Sequence, residues 1–393
     1  MIMKNSSFTP NLIFLSLAKL FSSFSGYLYD IGIVTYLYSE TQSVMVVGGF
    51  FVSQLLPACI ILLSGYIIDQ YDRKKLIIIS NLLKLLLFFI IIWNHNIWII
   101  YIVTFLFNFI FEFEGNTFQS MLMDVFQSNQ LLKVSSTINV LDSASMIIAP
   151  VTASVLTVSF SFRANLIFAS ICITFAAIFY HLLNVKKNII KEQKKTIKGW
   201  NGYFYIFKNK NIARMILFWN IFMLCIGITS PLEISMIEET LGMSSTYYGI
   251  GNSVEGIGML VASVFILGLI KKLYPGTIIA LGLFCSSLSY LIIGLSGNIF
   301  IYFIGAAFVG ITSTCCPLGF KTEIQLNIDP IIMGRAFTTA RFTVILSRIA
   351  GSALTGLALR VINIRFIYFI VFGILAVSSF IYLKWTRTVK MES

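Results

Sequence analysis

The chain has 393 residues, of which 58% are hydrophobic and 11% charged, and its mean hydropathy is +0.89. A soluble domain carries about 25% charged residues, so this composition cannot cover a water-facing surface. The net charge of +12 is gathered in a few short polar breaks. There it reads as membrane topology and contact with anionic lipid, not as a nucleic-acid patch.

Apolar runs long enough to cross a ~30 Å hydrocarbon core recur along the whole chain. They predict an all-α integral membrane protein of about twelve transmembrane helices: 12–38, 45–68, 76–94, 97–120, 137–158, 163–184, 212–232, 247–270, 276–295, 299–320, 337–360 and 364–384. The first run carries Lys19, expected to snorkel toward the inner interface, and Asp30. An ionisable group inside a span is a functional candidate by default. Asp30 reads as a proton carrier, a partner for a cationic substrate, or a hydrogen-bonded structural acid.

After the second run stands Gly65-Tyr66-Ile67-Ile68-Asp69-Gln70-Tyr71-Asp72-Arg73-Lys74-Lys75. A glycine near a helix end lets another helix approach. An acid at that end can face the positive N-terminus of a helix. The eleventh run begins near Arg335, so Asp69 has both a helix dipole and an arginine as candidate partners for a cytoplasmic gate. Asn94-His95-Asn96 is the polar break between the third and fourth runs.

The fourth run holds Glu112 and Glu114. Two residues turn a helix by about 200°, so at most one of them looks into a cavity, and the other meets a neighbouring helix or the interface. Phe105, Phe107, Phe109, Phe111 and Phe113 spread around the same helix and do not form one aromatic cage. The fifth run holds Asp142 one turn before Ser145, Ala149, Pro150, Ala153 and Ser154. Small residues four apart permit close packing, and Pro150 frees a carbonyl and bends the helix. Glu255 lies in the eighth run. Arg348 lies halfway along the eleventh, with Arg341 seven residues earlier on nearly the same face. An arginine at that depth needs an acid, and Asp30 and Glu255 lie at compatible depth.

The long basic stretch 185–211 divides the chain into an N-terminal six-helix half (1–184) and a C-terminal six-helix half (212–393). With both termini cytoplasmic, the inner segments hold most of the 28 Lys and Arg, Lys84 being counted with Arg73, Lys74 and Lys75. The outer segments hold only Arg163, Arg360 and Arg365, as the positive-inside rule requires. The six cysteines lie in apolar runs without metal-ligand spacing. No metal, cofactor or nucleotide-binding loop is expected, and the first run has no signal-peptide cleavage site.

The loop after the second run resembles the Gly-x-x-x-Asp-x-x-Gly-Arg-Lys/Arg-Lys/Arg motif of the major facilitator superfamily, with Asp72 where that family has glycine. The Ser145–Ser154 stretch resembles the antiporter-associated motif of its drug exporters, with Ala or Ser for each glycine. The fourth-run arginine of those exporters is not recognisable; Phe107-Asn108 stands there. Ser43-Val44-Met45 and Gly334-Arg335-Ala336-Phe337 resemble the macrolide-efflux branch. The resemblance implies two six-helix bundles and a monomeric secondary transporter of the cell membrane. It would export hydrophobic or amphipathic compounds by proton antiport through alternating access. The alternative cargo is a lysophospholipid, a peptide or a nutrient taken up. An integral membrane enzyme would need His, Asp or Ser clustered at one depth, and a scaffold would need a soluble output domain; neither is visible.

Overall fold

Hydrocarbon offers no partner to backbone N–H and C=O groups, so a chain crossing it satisfies them internally as helix. The computed structural model describes residues 8–60, 70–127, 130–184, 210–270, 274–327 and 333–392, and among them there is no strand. The helices are α1 (Phe8–Thr41), α2 (Val44–Leu55), α3 (Pro57–Ile60), α4 (Arg73–Trp93), α5 (Ile97–Val125), α6 (Leu131–Val155) and α7 (Phe162–Leu182). They continue with α8 (Lys210–Thr229), α9 (Leu232–Ser235), α10 (Thr246–Ile270), α11 (Pro275–Leu295), α12 (Ile299–Asn327), α13 (Met333–Ala358) and α14 (Ile364–Glu392). Helix stands at each of the twelve expected positions, the second being described only over Val44–Leu55 and Pro57–Ile60. Short π-helical turns extend α6 over Leu156–Phe160 and α9 over Met236–Thr240.

Among the described residues, nine helices are long and apolar enough by themselves to cross a bilayer. The second span is cut short because residues 61–69 lie outside the described ones. The eighth, α10, is not among the nine either, and the eleventh, α13, is left out because Thr338, Thr339, Arg341, Ser347, Arg348, Ser352 and Thr355 all lie in it. Such a helix is tolerable in lipid only if its polar groups meet protein.

Local chemistry sets the ends. Asp72 caps α4, its carboxylate accepting from the Lys75 N–H at 3.2 Å. It thus ends the loop by capping where the family glycine would end it by turning. Asn96 caps α5 by accepting from the Trp98 N–H at 2.9 Å, which makes Asn94-His95-Asn96 the break between two spans. Pro150 lies inside α6.

The chain divides into two compact units, residues 1–36 with 53–196, and residues 37–52 with 197–393. In the first unit α4 packs chiefly against α5 and α7. Leu15, Ile77, Phe118, Met121, Val134, Ala176 and Tyr180 close one end with an apolar core. α1 lies along α7, with Phe21 stacked on Phe179 at 5.9 Å. Ser25 donates to Ala169 O at 2.9 Å, and Asn165 donates to Leu28 O at 2.9 Å.

At the centre of this unit Lys84 forms an ion pair with Glu114. Lys84 has no exposed surface, and Glu114 is 5% exposed. Ser22 and Asn81 also donate to Glu114, at 3.1 and 3.3 Å. Lys84 therefore does not belong with the inner-loop cations, where its sequence position had put it. It lies three turns into α4, within the membrane. Lys19, expected to snorkel, lies over the Phe118 and Phe111 rings at 5.6 and 5.9 Å.

In the second unit the tightest pairs are α8 with α13, α10 with α12, and α11 with both α12 and α14. Two crossings depend on glycine. A Cβ on Gly310 would lie 2.8 Å from the carbonyl carbon of Glu255, and one on Gly227 would lie 2.9 Å from that of Arg348. Neither position has room for a side chain, so the backbones that carry Glu255 and Arg348 rest directly on neighbouring helices.

Two stability predictions follow from the first unit. Lys84→Met strands a buried carboxylate and is expected to cost about 3–5 kcal/mol. Lys84→Met combined with Glu114→Leu removes both charges and recovers most of that loss, read by unfolding of purified protein in detergent. Asp72→Ala removes the α4 cap and costs about 1 kcal/mol in the same measurement.

Candidate functional site

The loop motif is only partly within view. Gly65 and Asp69 lie outside the described residues, and so does the side chain of Arg335 at the start of α13. The motif's cations are described. Arg73 grips Asp124 at 2.8 and 2.9 Å and donates to Ser120 O at 3.1 Å. Lys74 donates to Leu183 O at 2.8 Å. These bonds run from the start of α4 to the ends of α5 and α7, so the motif's basic half ties three helices of the first unit together.

The membrane acids of this unit fall in two places. Asp30 on α1 and Asp142 on α6 both act electrostatically on the Tyr27 hydroxyl. Tyr29, two residues on from Tyr27, is fully buried, shares a 2.9 Å hydrogen bond with Thr104, and stacks on Phe107 at 4.3 Å. Glu114 is committed to Lys84 and its neighbours, whereas Glu112 stays half-buried. The two glutamates of α5 thus face different surroundings, as two residues of helical twist require.

On α6 the small residues of the fifth span are buried: Ser145, Ala149, Ala153 and Ser154 are at most 1% exposed. Pro150 is buried with them. Ser145 donates to Leu141 O at 3.0 Å and lies 3.5 Å from Leu20 O of α1. The stripe is therefore a packing face toward α1, with a proline in its middle.

In the second unit Arg348 acts electrostatically on both Glu255 and Glu233. Asp30 and Glu255 were the acids expected opposite this arginine; Glu233 was not among them. Thr229, Tyr290, Tyr302 and Tyr368 line a small void with the two glutamates. Thr229 donates to the Tyr290 hydroxyl at 3.3 Å, and the Tyr290 and Tyr368 rings stack at 6.2 Å. Glu233 escaped the sequence reading because it falls just past the apolar run at 212–232. The signal that could have found it is the second helical segment that continues the same span after Pro231.

Two more acids also went unnoticed. Glu323, 5% exposed on α12, accepts from the Tyr274 hydroxyl at 3.0 Å. Glu239 accepts from the Tyr38 hydroxyl. Glu239 lines a cavity of about 760 Å³ at one end of this unit, together with Gln42, Ser235, Arg360, Asn363 and Arg365.

The geometry makes Gly310 and Gly227 positioning residues for the polar cluster. Gly310→Val or Gly227→Val is expected to overpack its crossing and cost about 1–3 kcal/mol. Alanine at a helix surface outside these crossings, such as Leu260→Ala on α10, is the control in the same thermal unfolding measurement.

No curated protein sequence matches the chain. Solved structures do match in fold. The nucleoside transporter NupG superposes with a TM-score of 0.82 at 13% identity, covering 95% of this chain and 98% of that one. A peptide transporter POT in complex with sulfate gives a TM-score of 0.76 at 13% identity, with 96% and 94% covered. The POT family transporter PepTSo gives 0.75 at 10% identity, with 98% and 99% covered. At such low identity these likenesses speak for the fold alone. A sequence profile of the Major Facilitator Superfamily matches residues 15–317, most of the chain. This multi-pass membrane protein, with its twelve-helix architecture, belongs to the Major Facilitator Superfamily.

Proposed function

We propose that this transporter exports hydrophobic or amphipathic compounds in exchange for protons, by alternating access, as a monomer of the cell membrane with both termini in the cytoplasm. The observation that carries the reading is the α6 face: Ser145, Ala149, Ala153 and Ser154 buried around Pro150, at the spacing of the exporters' antiporter-associated motif. The same helix carries Asp142, which lies with Asp30 within electrostatic reach of Tyr27. Protonation of carboxylates at that depth changes the charge a span must hold in lipid, and so biases which conformation is stable. Each proton that crosses the membrane potential supplies about 2.3 kcal/mol per 100 mV. The chain's 15% aromatic content suits a planar or greasy cargo better than a sugar. Asp69 with Arg335 is the proposed cytoplasmic gate, and Asp30 and Glu112 are the proposed coupling acids of the first unit.

A second reading has a polar cargo. It is favoured by the tyrosine-rich polar cluster of the second unit and by the nucleoside and peptide transporters among the fold relatives. The two separate in one experiment. Cells expressing the protein are loaded with ethidium or erythromycin, and parallel cultures are given labelled uridine or alanyl-alanine. Export predicts lower ethidium and erythromycin in expressing cells. Collapsing the pH gradient, or Asp30→Asn, should remove that difference. Unchanged ethidium and erythromycin with accumulated uridine or dipeptide would replace this reading with the second.

A further inference from the structure

The cavity of about 760 Å³ beside Glu239 lies at the end of the second unit where α13 turns into α14, and the exporter reading gives it no task. Its volume is that of a small-molecule site. Its walls come from the turn between α1 and α2, the π-helical turn after α9, the end of α13 and the start of α14. All four belong to this unit. Gly356 holds two of them together. A Cβ there would stand 2.7 Å from the Met45 Cα, so the start of α2 seats directly on α13.

Two guanidinium groups line this space. Arg365 is half-buried, and its Nη1 donates to Gly294 O at 3.1 Å. Arg360 is exposed, and its Nη2 lies 3.8 Å from the Met45 sulfur, a weak acceptor. Neither forms an ion pair among the described residues. Glu239, the carboxylate of the lining, accepts from the Tyr38 hydroxyl, and Glu238 beside it accepts from Ser245. The lining therefore sets two cations against one anion, with most guanidinium N–H donors unused. Asn363 spends its Oδ1 on the Arg365 N–H at 3.0 Å, which leaves its amide hydrogens for another partner. Gln42 adds a second amide to the lining.

The position of the pair narrows what it meets. With both termini in the cytoplasm, as proposed above, the outer segments hold only Arg163, Arg360 and Arg365, and the positive-inside rule works against each. Two of these three come to one cavity. An exposed apolar side chain follows each of them: Val361 after Arg360 is 87% exposed, and Phe366 after Arg365 is 63% exposed. In a bilayer such side chains lie toward the acyl chains while arginines reach headgroup level. A guanidinium matches phosphate oxygens two at a time.

We propose that this cavity binds the headgroup of an anionic phospholipid that carries hydroxyls, the chemistry of phosphatidylglycerol. Arg360 and Arg365 donate to the phosphodiester oxygens. The free oxygen of Glu239 and the amide oxygen of Gln42 accept from the glycerol hydroxyls, and the Asn363 amide donates to them. The acyl chains run past Val361 and Phe366. The single negative charge of the lipid balances the one guanidinium that Glu239 leaves in excess. A choline headgroup brings a cation and no hydrogen-bond donor, so it matches neither the charge nor the acceptors. The bound lipid bridges the α1–α2 turn to the α13–α14 turn, whatever the cargo is.

The test is hydrogen–deuterium exchange, read by mass spectrometry on the full-length protein in nanodiscs of phosphatidylcholine with or without phosphatidylglycerol. Phosphatidylglycerol at about ten times its dissociation constant is expected to slow exchange of the amides at both turns by about tenfold. Arg360→Gln combined with Arg365→Gln is expected to abolish that protection, whereas Arg163→Gln keeps it. Exchange that phosphatidylglycerol leaves unchanged overturns the proposal. So does protection that survives the double variant, or that Arg163→Gln removes equally. A third arm adds glycerol 3-phosphate to phosphatidylcholine nanodiscs. Protection there overturns the lipid in favour of a soluble phosphate. The wild-type comparison of two lipid compositions needs no variant, so a double variant that misfolds leaves the test decisive. Ethidium export plays no part in it, so the exporter reading and the lipid site stand or fall separately.

Discussion

A charge in hydrocarbon must be neutralised by the protein, because water is not there to do it. That constraint decides where the polar residues of this chain go. In the first unit it produces Lys84 with Glu114, closed off by Ser22 and Asn81. In the second it gathers Glu233 and Glu255 with Tyr290, Tyr302 and Tyr368 around one small void, within electrostatic reach of Arg348. The first set balances one against one and is enclosed. The second pools two half-buried acids around one void. The first reads as scaffold.

The same constraint explains the apolar side chains that look misplaced by the standards of a soluble protein. Trp93, Phe160, Phe300 and Val361 are each more than 70% exposed. Facing lipid tails or headgroups, they lose nothing by it, and association between helices must come from close packing and hydrogen bonds instead. The buried small-residue stripe of α6 and the glycines of α8 and α12 are where this chain meets that need.

Much of this was legible from the residues. Span positions followed from apolar run length, because the bilayer imposes a length that the helix rise converts to about 20 residues. Asn94-His95-Asn96 marked a loop because asparagine caps helices. The superfamily was visible in one loop, through Gly65, Asp69 and Arg73. What sequence could not give was pairing across helices. Lys84 was counted as a loop cation because three basic residues precede it, yet its partner is 30 positions away on α5. Glu233 fell outside an apolar run that hydropathy ended too early. Asp72 looked like a departure from a motif, but it ends the loop by capping, with a side-chain oxygen in place of glycine's conformational freedom. The misses have different causes: Lys84 was placed at the wrong depth, Glu233 lay beyond a run that was ended too early, and Asp72 acts through a cap that a motif does not show.

The glycines at 227 and 310 bear on how such a protein diversifies. Each meets the main chain of its neighbour, at Arg348 and Glu255, and not the side chain. The crossing is therefore indifferent to which side chain the neighbour carries. Carboxylate can become amide, or arginine become lysine, without the helices having to repack. A lineage built on this scaffold can exchange its ionic chemistry by single substitutions while its architecture stays fixed. That separation fits a fold that this chain shares with solved structures at only 10–13% sequence identity.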